Sequence, residues 1–121
     1  MGALLGSACY AISLYFFWWA VSANASRPLS CMYSTDAPQH LLTSGPYVHV
    51  RHPFYSSYML AWMAASFATG SCLLWISALV MFWFYHGAAC IEEDKFARSD
   101  LANEYAAYRE TTGMFFPKLA L

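Results

Sequence analysis

Two long stretches of this 121-residue chain contain no Asp, Glu, Lys or Arg, and they predict membrane-spanning helices. The stretches are residues 1–26 and Pro53–Ile91. Because a bilayer core about 30 Å thick is crossed by some 20 helical residues, the first stretch predicts one span, at about Ala3–Ala23. At about 1.5 Å per residue, the second would form a helix of roughly 58 Å, which is too long for one crossing and suited to two.

A turn in the middle of the second stretch would let it fold back on itself. Thr69-Gly70-Ser71 combines a glycine with small polar neighbours, which is ordinary turn chemistry. The pattern therefore predicts a helical hairpin of about Pro53–Ala68 and Cys72–Ile91, whose first arm is short for a full crossing. The predicted fold is an all-α membrane protein of about three transmembrane helices, divided into an N-terminal helix (1–26) and a remainder (27–121) with a loop, the hairpin and a tail.

The positions of the charged residues predict the orientation in the membrane. Apolar residues make up 60% of the chain and charged residues only 11%, unlike a soluble globular protein. All six Lys and Arg lie in the loop 27–52 or in the tail 92–121, which three crossings place on one side. The positive-inside tendency makes that side cytoplasmic. The net charge of −1, with no basic stripe, does not indicate a nucleic-acid partner, so the expected partner is the lipid bilayer.

A cleaved signal peptide is the alternative interpretation of the first stretch, because Ala23-Asn24-Ala25 resembles a cleavage site. The amino end, however, carries no Lys or Arg, and the apolar run is long for the core of a signal peptide. Trp18 and Trp19 near the end of the run suit an aromatic anchor at the membrane interface. We therefore interpret this stretch as a retained transmembrane helix.

The tail after the hairpin has a helical pattern of a different kind. Apolar residues recur at spacings of four, four and three, which is typical of one face of a helix. This stripe consists of Ala97, Leu101, Tyr105 and Tyr108. The pattern predicts an amphipathic helix over Glu92–Glu110, either on the cytoplasmic surface or as a continuation of the last span. Gly113 is the predicted stop signal.

The stretch GPYVHVRHPFY, Gly45 to Tyr55, places an arginine and a histidine at the entrance to the hairpin. Pro53 suits the first turn of a helix, whose free amide groups favour an anion. Arg51 adds a cation able to bind a carboxylate in two-point fashion. The hairpin would bring Glu92-Glu93-Asp94 beside this pair, and that acidic cluster could hold a cation. Such a pocket, with aromatic walls, suits a zwitterionic, amino-acid-like ligand that carries a flat base.

These motifs resemble the isoprenylcysteine carboxyl methyltransferase family. The resemblance is carried by TSGPYVHVRHPFY, the hairpin, EED and EYAAYRETTGMFFP, in the order and spacing of that family. It covers roughly Gln39 to Leu119, about two thirds of the chain. It implies that 27–121 is a methyltransferase-like region of an integral-membrane enzyme that uses S-adenosylmethionine without a soluble Rossmann-type domain. The implied acceptor arrives from the bilayer, as the carboxylate of a prenylated cysteine would.

The resemblance also implies roles for individual residues. The implied cofactor contacts are Gln39, His40, Leu41, Leu42, Tyr47, His52, Pro53, Phe54, Tyr55 and Glu93. Arg51 and Glu92 would have positioning roles at the reacting groups. Since a sulfonium methyl is already activated and a carboxylate acceptor is already ionised, the pocket would accelerate the reaction mainly by positioning.

The chain departs from the family pattern in two places. Family members usually have further membrane helices in front of this region. They also carry an arginine about one turn before the acidic pair, whereas here YHGAACIEED has Ala88 and Ala89 there, with His86 nearby. A non-catalytic small membrane protein, or a fragment or subunit of a larger membrane complex, is therefore the alternative function.

No metal site is predicted. His49 and His52 have a spacing of three, but the residue before a proline is disfavoured from the α conformation, so the two need not share a helical face. The four cysteines show no paired spacing. A histidine-based metal or haem oxidoreductase is the weaker enzyme alternative, because His86 is the histidine that the membrane region offers.

Overall fold

The computed structural model describes residues 1–25 and 37–119, and this part of the chain is helical apart from its connections. The four α-helices are α1 (Gly2–Asn24), α2 (Pro53–Thr69), α3 (Cys72–Ala97) and α4 (Ala102–Thr111), and a short 3-10 helix spans Gly45–Val48. One isolated β-bridge joins Val50 to Gly113. The beginning of the predicted cytoplasmic loop, residues 27–36, lies outside the described residues.

Helices α2 and α3 form the predicted hairpin. Gly70 ends α2 in the left-handed conformation, with φ 66°, and its N–H donates to the carbonyl of Ser66 at 2.9 Å. Glycine adopts this conformation without the steric cost that other residues meet, so the predicted turn chemistry explains the fold-back. Beside the turn, the rings of Phe67 and Trp75 meet edge to face, with centroids 5.0 Å apart.

Helix α1 packs along α2 through a seam of small residues. The buried residues of α1 are Gly6, Ser13 and Ala20, spaced by seven. A Cβ atom at Gly6 would lie 2.7 Å from the carbonyl oxygen of Ala64, and the hydroxyl of Ser13 donates to the carbonyl of Ser57 at 2.7 Å. Small residues allow two helix backbones to approach closely in a membrane. The seven-residue spacing of these small residues is present in the sequence, but the sequence analysis did not predict a contact from it.

Two helices in the described part, α1 and α3, are long and apolar enough to cross a membrane. Only 17% and 11% of their most apolar windows are buried, unlike the core helices of a soluble protein, so their apolar surfaces face outward. At about 1.5 Å per residue α1 spans roughly 34 Å and α3 roughly 39 Å, but the 17 residues of α2 reach only about 26 Å. Three crossings and a cytoplasmic charged side stay predictions.

The prediction of one continuous tail helix over Glu92–Glu110 is wrong. Helix α3 continues six residues beyond its predicted end, from Ile91 to Ala97, and a turn then separates it from α4. The hydroxyl of Ser99 causes this break, because it donates to the carbonyl of Phe96 at 2.7 Å and accepts the N–H of Leu101 at 3.2 Å. Ala97 is exposed, so the predicted stripe is buried only at its end. The buried members of the stripe are Tyr105 and Tyr108.

Candidate functional site

The hairpin brings Arg51-His52 beside Glu92-Glu93, and this confirms the predicted juxtaposition. We call this end of the hairpin the charged end. Oε1 of Glu93 lies 2.8 Å from Nε of Arg51 and 3.0 Å from Nε2 of His52. The other imidazole nitrogen, Nδ1, lies 3.3 Å from Oε2 of Glu92. The side chains of Arg51 and Glu93 are only 9% and 8% exposed, so their ion pair is shielded from water.

His52 bridges the two carboxylates, and their contacts favour its protonated form. Both ring nitrogens must carry hydrogen to donate to Glu92 and Glu93 at the same time. Burial alone would lower the pKa of His52, but the hydrogen bonds and the attraction from the two carboxylates outweigh it, and the net effect raises the pKa above 6.5. The imidazolium and the Arg51 guanidinium together balance the charges of the two glutamates.

The segment after α4 returns to close the charged end. Three hydrogen bonds join it to the start of α2: Arg51 N–H to Gly113 O at 2.9 Å, His52 N–H to Met114 O at 3.1 Å, and Ser56 O–H to Phe115 O at 2.6 Å. The Arg51 guanidinium also donates to the carbonyl of Thr112. Arg51 donates to Glu93 of α3 and to a main-chain carbonyl of the returning segment, so its described contacts hold the tail, α2 and α3 together.

An aromatic wall adjoins Glu92. The hydroxyl of Tyr55 donates to Oε1 of Glu92 at 2.8 Å, and the Tyr55 ring stacks on Tyr85 with centroids 5.5 Å apart. The Phe115 ring lies 6.0 Å from the His52 ring and 6.4 Å from the His86 ring. The Glu92 side chain is 29% exposed, whereas that of Glu93 is 8% exposed. Glu92 is therefore the glutamate of this pair that a ligand could reach.

Hydrogen bonds of two buried tyrosines, Tyr47 and Tyr108, join the loop to α1 and α4. The amide of Asn24 donates to the hydroxyl of Tyr47 at 2.9 Å, and the hydroxyl of Tyr108 donates to the carbonyl of Tyr47 at 2.6 Å. Burial raises the pKa of Tyr47 to about 12 and also raises the pKa of Tyr105 and of Tyr108. These phenols stay neutral, and their hydrogen bonds stabilise the packing around the loop.

The comparison with protein families decides where this arrangement belongs. A family model described as phospholipid methyltransferase matches residues 1–102. The matched part contains α1, the whole hairpin and both halves of the charged end. The chain belongs to the phospholipid methyltransferase family. This family is the isoprenylcysteine carboxyl methyltransferase-like one, so the resemblance drawn from the motifs is confirmed. Family and apolar helices together indicate a membrane protein.

A curated relative supports the likeness over a shorter region. Over 81 residues the chain is 35% identical to the cobalt-zinc-cadmium resistance protein CzcN of Cupriavidus metallidurans. The aligned region is 67% of this chain and 37% of that protein, so the chain matches well under half of the relative's length. No solved structure matches the chain.

The residues that the family resemblance implied are spread over three regions. Five of them meet at the charged end: Arg51, His52, Tyr55, Glu92 and Glu93. Pro53 is fully buried at the first turn of α2, Tyr47 is buried beside α4, and Phe54 packs against Phe17 of α1 with centroids 5.5 Å apart. The segment 37–44 precedes the 3-10 helix without regular structure. In it, Gln39 is exposed and donates to the carbonyl of Ala37, and His40, Leu41 and Leu42 are half-buried. A cofactor contact for these four residues stays a prediction.

Sequence reasoning missed part of the charged end. The Tyr105 ring stacks on Phe96 with centroids 4.6 Å apart, and burial together with the charge of Glu93 raises the pKa of Tyr105. Nε of Arg109 lies 3.7 Å from Oε2 of Glu93. The buried stripe on α4 pointed to Tyr105, but no sequence signal pointed to the main-chain carbonyls of 112–115 that receive Arg51, His52 and Ser56.

We expect the bridging imidazolium to make thermal stability depend on pH. Because folding raises the pKa of His52 above 6.5, its contribution is complete below about pH 6.5 and is lost as the pH rises through the folded-state value. The melting temperature of the protein in detergent should therefore exceed that of His52→Gln by the largest margin below pH 6.5, and the margin should narrow toward pH 9. A margin that stays constant over this range would contradict a charged His52.

Proposed function

We propose that the protein binds S-adenosylmethionine at the charged end and transfers its methyl group to an acceptor that arrives from the bilayer. The observation that carries this proposal is the partly exposed Glu92 carboxylate next to the Tyr55–Tyr85 stack, in a chain of the phospholipid methyltransferase family.

The residues present fit the cofactor by charge and shape. Its sulfonium and ammonium groups are cations, and they would be attracted by the Glu92 carboxylate and by the faces of Tyr55 and Tyr85. Its carboxylate suits the N-terminal end of α2, where the helix dipole favours an anion. Its adenine is a flat ring of the kind that aromatic side chains such as Phe115 bind by stacking.

Bound there, S-adenosylmethionine would supply an activated methyl group, with S-adenosylhomocysteine as the leaving product. The protein's own task is to hold donor and acceptor in line and to exclude water. A carboxylate acceptor attacks with an oxygen lone pair and needs no proton removed. An amine acceptor would have to shed a proton before attack, so a carboxylate acceptor makes the smaller demand on the residues of the charged end.

Arg51, His52 and Glu93 are positioning residues in this proposal. Their side chains are 9% exposed or less and bind one another, so they act by fixing the start of α2 against the end of α3. Glu92 receives its orientation from His52 on one oxygen and from Tyr55 on the other. A substitution that breaks the Arg51–Glu93 ion pair would thus displace the Glu92 side chain indirectly, through His52.

The acceptor that we propose is an amphiphile: the carboxylate of a prenylated cysteine, or a phospholipid headgroup. The family description names phospholipids, and the sequence motifs resemble the enzymes that methylate prenylated cysteine. Both acceptors would reach the charged end along the exposed apolar surface of α3, where Phe84 is 60% exposed and Ile91 is 51% exposed.

Binding of S-adenosylhomocysteine to the purified protein in detergent tests this proposal. We expect micromolar affinity for the wild type, and about tenfold weaker binding for Glu92→Gln, the scale of one lost charged contact. Asp94→Asn is the matched control, because it removes one charge from the same acidic run, where Asp94 pairs with Arg98 on the exposed surface. It should bind like the wild type.

Absence of binding by the wild type would favour the non-catalytic alternative, a small membrane protein whose ion pairs serve only its fold. Equal binding by the wild type and Glu92→Gln would remove Glu92 from the site. Where binding holds, transfer of a radiolabelled methyl group to a farnesylated cysteine derivative or to phosphatidylethanolamine identifies the acceptor class.

A further inference from the structure

The returning segment, residues 113–119, extends from the charged end toward the hairpin turn. Its successive main-chain carbonyls accept hydrogen bonds from donors that lie progressively further along the chain into α2. The pairs are Gly113 with Arg51, Met114 with His52, and Phe115 with Ser56. Because α2 runs from the charged end to Gly70, the segment follows it in the direction of the predicted hydrocarbon core.

The ring of Phe115 shows how far the segment reaches. Its centroid lies 6.4 Å from that of His86, which precedes Glu93 by seven residues on α3. At about 1.5 Å per residue, this contact lies roughly 10 Å from the ion pairs, on the side of the hairpin turn. At that level α3 presents Trp83 and Phe84 outward, where they are 74% and 60% exposed. The segment therefore reaches the apolar outer surface of the hairpin.

Phe116 is the exposed apex of a turn whose two sides are fixed. The chain turns back after it, since a Cβ atom at Gly113 would lie 3.3 Å from the main-chain nitrogen of Lys118. On one side the carbonyl of Phe115 is bonded to α2, and on the other Nζ of Lys118 donates to two carbonyls in the last turn of α4, both at 3.0 Å. Pro117 restricts the backbone between them. The Phe116 side chain is nevertheless 69% exposed.

We propose that Phe116 inserts into the bilayer and that the lipid thereby holds the returning segment closed on the charged end. A phenyl ring held outward at the level of the apolar surface of α3 gains free energy when lipid replaces water around it. Leu119, which is 81% exposed, adds a second apolar side chain. Lys118 lies between the two, and its ammonium reaches back to α4, as a lysine at a membrane interface directs its charge away from the hydrocarbon.

The bilayer would then be a structural partner of the site. The segment that Phe116 anchors supplies the acceptors for the N–H groups of Arg51 and His52, and its Phe115 ring adjoins His52. Release of the anchor would open the segment without changing any residue of the ion-pair cluster. The part of this inference that concerns cofactor binding rests on the proposed function, whereas the lipid contact does not.

Photocrosslinking of the full chain in phospholipid nanodiscs tests the lipid contact. The photoreactive residue p-benzoylphenylalanine keeps the phenyl ring, and it is placed at residue 116 before irradiation and mass measurement. We expect a protein–phospholipid adduct from this position and from Trp83, the lipid-facing control on α3. The same probe at Arg98 should give none, because Arg98 is 78% exposed and lies five residues after Glu93, beyond the ion pairs.

Hydrogen exchange measures the closure that the lipid would maintain. The main-chain N–H groups of Arg51 and His52 donate to the returning segment, so their exchange with deuterium reports its opening. In nanodiscs we expect Phe116→Ser to speed this exchange by about tenfold or more, the scale of withdrawing a large apolar side chain from lipid. Leu73→Ser is the matched control, because Leu73 is 75% exposed at the opposite end of α3. It should exchange like the wild type at these two amides.

S-adenosylhomocysteine connects this closure to the proposed site. A ligand that binds against the closed segment opposes its opening. Saturating S-adenosylhomocysteine should therefore slow the exchange of the same two amides in Phe116→Ser, back toward the rate of the wild type. Binding that leaves the exchange unchanged would show that the cofactor lies away from the returning segment.

Two results would overturn the lipid contact: adducts from position 83 without any from position 116, or equal exchange in Phe116→Ser and the wild type. A crosslink from position 116 to a second copy of the chain would assign the exposed ring to a protein interface instead. Failure of the proposed function looks different, because the wild type would then not bind S-adenosylhomocysteine while the phospholipid adduct at position 116 remained.

Discussion

Replacing Glu93 with alanine should destabilise the protein by about 3–5 kcal/mol, the cost of removing one partner from a buried ion pair. The change leaves the Arg51 guanidinium and the His52 imidazolium close together, with side chains 9% and 7% exposed and no carboxylate between them. The free energy of unfolding, measured by denaturation in mixed detergent micelles, is the quantity to compare.

Two variants make this result specific to the buried carboxylate. Asp94→Ala changes the neighbouring acid, whose ion pair with Arg98 is exposed, so it should cost no more than about 1 kcal/mol. Glu93→Gln keeps a carbonyl oxygen that can accept hydrogen bonds but loses the charge, so it should fall between the two alanine variants. If Glu93→Ala were no less stable than Asp94→Ala, the ion-pair cluster would not hold the charged end together.

The helices could be predicted from the sequence because their signals are local. Uncharged runs delimit α1 and the hairpin, and Gly70 with its polar neighbours marks the turn between the arms. The meeting of Arg51-His52 with Glu92-Glu93 followed from the same pattern, since a fold-back at Gly70 brings residues about equally distant from the turn together. The absence of charged residues, a local property of the sequence, was thus enough to predict this long-range contact.

Other features of the charged end carried no comparable signal. The sequence suggested that Arg51 was available to bind a ligand, but its burial depends on the return of the segment after α4, which pairs through main-chain carbonyls and leaves no trace in residue type. The small residues at the α1–α2 contact, Gly6, Ser13 and Ala20, are regularly spaced in the sequence. A helix that is apolar on all sides, however, shows no amphipathic stripe, so the sequence pattern did not indicate which face of α1 packs on α2. The break at Ser99 was missed because the apolar spacing on either side of it stays helical.

Substitution of Gly113 by alanine should release the segment that closes the charged end. A Cβ atom at this position would clash with the carbonyl oxygen of Phe116, so the backbone of 113–116 must move. That backbone accepts the hydrogen bonds from Arg51, His52 and Ser56. At about 1 kcal/mol for each hydrogen bond, we expect a loss of about 3 kcal/mol in stability.

The same change should weaken S-adenosylhomocysteine binding by about tenfold or more, because one lost contact of a charged group has that effect and His52 would no longer be held against Glu92. Gly87→Ala on α3 is the matched control, since a Cβ there meets no atom within 4 Å and alanine favours a helix over glycine. It should bind like the wild type and be at least as stable. Equal behaviour of the two variants would mean that the returning segment lies over the site without shaping it, and the cofactor site would then depend on the hairpin alone.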